Sequence, residues 1–237
     1  MIIICSRNYV YLHVMKKILS FILFCFLTVY GYSQLLINEY SAANYDSYQD
    51  NYGEYEDWFE VYNSTASAID INGYYISDKV NNPTKWQIPS SFIIPAGGVR
   101  VIFCSGRDEV LAGFAHTNFK ITQTKDNEVL MLSDPTGILL DSISVIPNIK
   151  THSRGREING SAIWSVFINP TPDATNTGAL LEYATTPIFS APSGYYTSSV
   201  QVVITSPDPN ITIYYTVDGS TPDNTSNQYT TPITLTQ

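Results

Sequence analysis

The sequence predicts an all-β fold in two parts. Short runs rich in Val, Ile, Tyr, Phe and Thr recur along the chain, each bounded by Gly, Pro, Asn, Asp or Ser. Within several of them apolar side chains alternate, as in Val200, Val202 and Ile204 or Ile211, Ile213 and Tyr215, the period of a strand with one buried face. The composition agrees: 18 Tyr, 13 Gly and 13 Pro, with only 14% charged residues, favour strands joined by turns. No long stretch after residue 33 has helical spacing.

Residues 1–33 contain no acid. Lys16-Lys17 precede the apolar run from Ile18 to Tyr30, and Gly31-Tyr32-Ser33 supply small residues before Gln34. This is the pattern of a secretory signal peptide, with cleavage near Ser33-Gln34 and a start at Met15. The other reading is an uncleaved membrane anchor, for which the apolar run is short. Loss of Arg7, Lys16 and Lys17 takes the net charge from −9 to −12. Such a surface repels phosphate backbones, so no nucleic-acid partner is expected, and no membrane contact after cleavage. Cys5 and Cys25 leave with the leader, so Cys104 has no intrachain partner.

The mature chain opens with Leu35 to Tyr40, a strand carrying Glu39. The central run is Asp57-Trp58-Phe59-Glu60-Val61-Tyr62-Asn63. Phe59 and Val61 face one way; Trp58, Glu60 and Tyr62 face the other. Between them, Ser41 to Glu56 holds Asp46, Asp50, Glu54 and Glu56 with four interleaved tyrosines. Two readings stay open for this long connection: a solvated acidic loop, or oxygen ligands for calcium or another ligand. Asp70 to Asp78 is expected as a third strand. Trp86 to Pro89 and Phe92 to Pro95 are short, proline-limited pieces suited to edges. Val99 to Cys104 is strongly β, and Ser105 to Ala115 is expected as a short helical turn. Three further strands are expected at Phe119 and Ile121, at Val129 and Met131, and from Ile138 to Val145. Asp134-Pro135-Thr136-Gly137 makes the last two a hairpin. Thr151 to Gly160 is expected as a polar loop carrying Arg154 and Arg156. These arginines either clamp an anion or pair with acids of the first strands, such as Glu39 or Glu60.

The ordered set Ile37-Asn38-Glu39, Asp57 to Asn63, Ile94-Pro95-Ala96-Gly97-Gly98, His116 to Lys120, Ser153-Arg154-Gly155-Arg156, Trp164 and Asn169-Pro170-Thr171-Pro172 resembles the lamin tail domain. That resemblance implies an immunoglobulin-like β-sandwich over residues 34–172 and no shared catalytic site. It gives Glu39, Asp57, Trp58, Glu60, Asn63, Arg154, Arg156 and Trp164 a structural role. Residues 173–186 read as a linker. From residue 187 on, Phe189 to Tyr196, Ile213 to Pro222 and Tyr229 to Ile233 resemble the small β-sandwich at the C-terminal end of chitobiases and β-hexosaminidases. The family module has further strands, so residues 187–237 are expected to be a partial copy. The catalytic site of those enzymes lies in another domain.

No catalytic, cofactor-binding or metal site is expected, apart from calcium at the acidic loop. His116 and His152 lack zinc-ligand spacing, and no nucleophile elbow or phosphate loop is present. Glu39 and Glu60 are the best carboxylate pair for glycoside cleavage, but their place in the motif favours structure. The expectation is a monomeric, secreted, non-catalytic binding or spacer pair whose partner is a protein or glycan at a bacterial cell surface. The other reading is an accessory region of a larger secreted hydrolase or spore-coat-type kinase.

Overall fold

A computed structural model describes residues 34–236, so the leader over residues 1–33 and the start at Met15 lie outside the described residues. Every regular element among the described residues is a strand. None of them is a helix long and apolar enough to cross a membrane. The chain divides into two compact units, one ending at Gly178 and one starting at Ala179.

The first unit is a sandwich. Its strands are β1 (Leu35–Ser41), β2 (Trp58–Asn63), β3 (Ile69–Asp70), β4 (Tyr75–Ser77), β5 (Trp86–Gln87), β6 (Ile93–Ile94), β7 (Val99–Phe103), β8 (Glu109–Leu111), β9 (Phe114–His116), β10 (Val129–Ser133), β11 (Leu139–Ser144), β12 (Ser153–Arg156) and β13 (Trp164–Phe167). A seven-stranded sheet runs β13-β12-β1-β2-β7-β9-β8, and a four-stranded sheet runs β11-β10-β4-β5. Ile37, Tyr40, Phe59, Val61 and Ile102 of the large sheet meet Ile76, Trp86, Leu130 and Leu132 of the small one in a single core. The central strands of the large sheet, β12, β1, β2 and β7, are buried on both faces. Trp58, Val101 and Phe103 form a second apolar cluster on the sheet's outer side, which is why β2 shows almost no polar alternation.

A β-bulge sets the large sheet's chemistry. Ile37 pairs with Val61 and Glu39 with Glu60, so Asn38 is the extra residue. The bulge keeps Ile37 and Tyr40 both in the core and turns both Asn38 and Glu39 to the outer face. Ile37 N–H donates to Asp141 Oδ2 at 2.8 Å, and Ile37 C=O accepts from Arg156 Nε at 2.8 Å. Side chains thus take up backbone groups at the bulge.

Several elements differ from expectation. Asp70 to Asp78 is not one strand: Gly73 at φ 81 breaks it, and β3 pairs with β6 while β4 joins the small sheet. Ser105 to Ala115 is not helical. It ends in a hairpin whose turn, Ala112-Gly113, has φ 53 and 85. Two positive φ values match the right-handed twist of a hairpin, but alanine gives no sign of that conformation in the sequence. Phe119 and Ile121 are buried yet belong to no strand. Thr151 to Gly160 is not a polar loop. Ser153–Arg156 is an interior strand, paired with β1 and β13. The linker expected from residue 173 starts inside the first unit, because Asp173 and Asn176 are hydrogen-bonded into it.

The second unit is smaller and thinner. It contains β14 (Ile188–Phe189), β15 (Val200–Val202), β16 (Ile204–Thr205), β17 (Tyr214–Tyr215), β18 (Asn227–Gln228) and β19 (Ile233–Leu235). They pair as β14 with β16, β15 with β19 and β17 with β18. Asp218 caps the expected turn by accepting from Ser220 N at 3.0 Å. Among its described residues Ile204 is the one fully buried apolar side chain. Phe189, Tyr195, Val200, Tyr215 and Leu235 line an open groove of about 1140 Å³.

Candidate functional site

The outer face of the large sheet gathers most of the residues singled out in the sequence. Three neighbourhoods lie on it or beside it.

The first surrounds the bulge. Glu39 and Glu60 are cross-strand partners, both fully buried. Glu39 accepts from Ser153 Oγ at 2.5 Å, from Thr171 N at 3.0 Å and from Thr171 Oγ1 at 2.5 Å. Glu60 accepts from Asn38 Nδ2 at 2.7 Å and from Asp173 N at 3.1 Å. Burial raises both carboxyls above their usual range; Ser153 and Thr171 pull Glu39 back, whereas the charge of Glu39 pushes Glu60 further up. Asn38 also donates to Asn176 Oδ1 at 2.8 Å, and Asn176 donates to Arg156 C=O at 2.6 Å. The segment from Thr171 to Asn176 is therefore strapped across the sheet. Gly155 makes room for it: a Cβ there would stand 2.9 Å from Glu39 Cγ.

The arginines take other partners than the acids proposed for them. Arg156 pairs with Asp141 at 2.9 Å, donates to Ser161 C=O and lies over the Trp164 ring. Trp164 also packs against Tyr40, at 5.9 Å between centroids. Arg154 Nε donates to Pro147 C=O at 2.8 Å. Asn63 closes the turn after β2, accepting from Thr65 N and donating to Ser67 C=O.

The second neighbourhood is the loop from residue 42 to 57, which lies down on the sheet. Tyr48 stacks on Phe103 at 5.8 Å and meets Trp58 edge-on. Its hydroxyl donates to Asp173 Oδ2 at 2.8 Å. Burial, then the Asp173 charge, pushes that phenol well above its usual range, so it stays protonated. His116 stacks on Phe103, its Nε2 meets Asn51 Oδ1 at 2.7 Å, and its Nδ1 meets Ser105 Oγ at 2.9 Å. Burial lowers its pKa below the ordinary imidazole range and favours the neutral ring. Trp58 is fully buried, and its indole N–H has no partner.

This packing buries one of the four acids of the loop, Asp50. One of its oxygens accepts from Tyr52 N and Glu54 N, and the other pairs with Arg107 at 3.1 Å. Asp46 and Glu54 remain exposed. Glu56 pairs with Lys120 at 2.7 Å. Among the described residues no three His, Cys, Asp or Glu side chains converge as a metal site would require.

The third neighbourhood is a cleft of about 340 Å³ beside this loop, walled by Tyr45, Tyr55, Glu56, Asp57, Lys120 and the stretch from Thr122 to Thr124. Asp57 Oδ1 accepts from Asn44 N at 2.9 Å. Burial pushes its carboxyl up to about 6, with the neighbouring Glu56 charge adding to the effect. Asn44 ties the loop's two ends by donating to Tyr48 C=O and Glu56 C=O.

Sequence reasoning missed Asn38, Thr171, Asp173, Asn176, Asn44 and Arg107. Asn38 and Thr171 lay within quoted motifs, but nothing local marked Asp173, Asn176 and Arg107 as partners of groups far away in the chain, or Asn44 as the tie within its own loop.

No curated protein matches this chain. Residues 191–237 match the family model described as Chitobiase/beta-hexosaminidase C-terminal domain. Residues 28–147 match the family model described as Lamin Tail Domain. That match takes in the bulged strand, the Trp58 strand, the four-stranded sheet and five of the seven strands of the large one, and the chain belongs to the lamin tail domain family.

Proposed function

We propose that the chain is a secreted, non-catalytic pair of modules that binds a protein or glycan partner at a bacterial cell surface, or spaces neighbouring domains there. The observation that carries this is the employment of Glu39 and Glu60. Their oxygens hold the strap through Ser153, Thr171, Asn38 and Asp173. The chain's best carboxylate pair is thus committed to its own fold. The two family matches support the same role, since each names a module rather than a catalytic domain. The exposed tyrosines 45, 52 and 55 offer contact surface on a braced loop.

Two measurements test the proposal. Expressed with its leader in a bacterial host, the chain should appear outside the cytoplasm with Gln34 as its N-terminus; a retained, uncleaved product would count against secretion. Purified protein incubated with nitrophenyl glycosides should release no nitrophenol above the Glu39→Gln, Glu60→Gln double variant. Turnover that vanishes in that variant would make the chain an enzyme.

A further inference from the structure

We propose that the cleft between Tyr45, Tyr55 and Asp57 is a binding site for a neutral sugar unit. This builds on the binding role proposed above and gives it a place and a ligand class. The cleft's volume of about 340 Å³ lies at the lower end of the ~300–1,000 Å³ of small-molecule sites. The walls combine two exposed tyrosine rings with carboxylate, ammonium, amide and hydroxyl groups. A pyranose presents that same combination, an apolar ring face edged by groups that both donate and accept.

Charge selects among ligands. Asp57 spends Oδ1 on Asn44 N and leaves Oδ2 without a hydrogen bond, so the cleft has an acceptor that lacks a donor. An ammonium ligand would meet cations already in place: Lys120 and Arg107 at Glu56, and Lys150 over the Tyr45 ring at 4.6 Å. A phosphate or carboxylate would meet Glu56 and Asp57 side by side. A hydroxyl donates to Asp57 without either penalty. Gln123 stands ready to donate as well, because its Oε1 already accepts from Asn148 N and its amide N–H groups have no partner.

The site is also built before any ligand arrives. Asn44 fixes both ends of the loop, and the outer aromatic cluster holds its middle. A ligand therefore has little ordering cost to meet.

The test uses the purified chain on an array of neutral hexoses, N-acetylhexosamines and their oligomers, followed by titration of the strongest binder. At least one sugar should bind, and Tyr55→Ala and Asp57→Ala should each weaken it by about tenfold or more at an unchanged fold by circular dichroism. In the wild type, that sugar should shift the Asn44 amide resonance, a readout that needs no variant. The proposal fails if no neutral sugar binds at millimolar concentration, if the Asn44 amide does not respond, or if methylammonium or inorganic phosphate occupies the cleft more tightly than any sugar. A partner bound with undiminished affinity by both variants would sink the cleft assignment and leave the binding-module role standing. Hydrolysis of the bound sugar would sink the non-catalytic role and leave the cleft.

Discussion

Glu39 and Glu60 lie side by side under the strap, and neither has a cation partner. Burial raises both above the ordinary 4.5. A raised carboxyl pKa means that the native state keeps a proton the unfolded chain has released. Their contribution is fully present below about pH 4.5 and is lost as pH rises through the folded values. We expect Glu60→Gln to raise the thermal midpoint at pH 8, to change it little at pH 4, and to flatten the slope between. A midpoint lowered at pH 8 but not at pH 4 would mean that the charge of Glu60 stabilises the fold. Asp57 follows the same sign. Its pKa rises from 3.8 to about 6, a change worth on the order of 3 kcal/mol. Asp57→Asn keeps an acceptor for Asn44 N and should stabilise the first unit by up to about 3 kcal/mol at pH 8, with no gain near pH 3.5. Urea denaturation at the two pH values measures this.

The interior strand β12 is the element that the sequence hid. Ser, Arg, Gly and Arg read as a polar loop, yet all four are buried. Arg156 is tolerable there because its guanidinium reaches Asp141, Ser161 C=O and Ile37 C=O. Gly155 is required for space, not for backbone freedom. A methyl group would meet Glu39 Cγ at 2.9 Å and Asn38 C=O at 3.1 Å, so Gly155→Ala should cost roughly 1–3 kcal/mol in urea unfolding. A variant as stable as the wild type would show that the strap yields easily. The β8–β9 hairpin offers the reverse case. Ala112 holds φ 53, a conformation that asparagine adopts more readily. Ala112→Asn should raise stability by up to about 1 kcal/mol. A fall in the midpoint would mean that the alanine methyl makes contacts worth more than the relieved backbone strain.

At the scale of the molecule, the two units differ in how much apolar surface they bury. The first has a continuous core between two sheets; the second has Ile204 and an open groove. Calorimetry should show two transitions, the lower one disappearing when residues 179–237 are deleted. Limited proteolysis should cut first after Gly178, because Asp173 and Asn176 are tied into the first unit; a first cut between Thr171 and Asn176 would contradict the strap. The all-β class, the two-part division, the Trp58 strand with its two faces and the Asp134–Gly137 hairpin were legible in the sequence, because strand period and turn chemistry are local. Glu39 and Glu60 stood out as acids in otherwise apolar strands. What the sequence could not say is which groups would meet them. Thr171 and Asp173 lie more than a hundred residues away in the chain, and the bulge that turns Asn38 and Glu39 to the same face leaves no local mark. Burial of a polar group is tolerated only when partners arrive from elsewhere. That choice between solvated loop and buried cluster, for Arg154 to Arg156 as for Asp50, was made by tertiary structure alone.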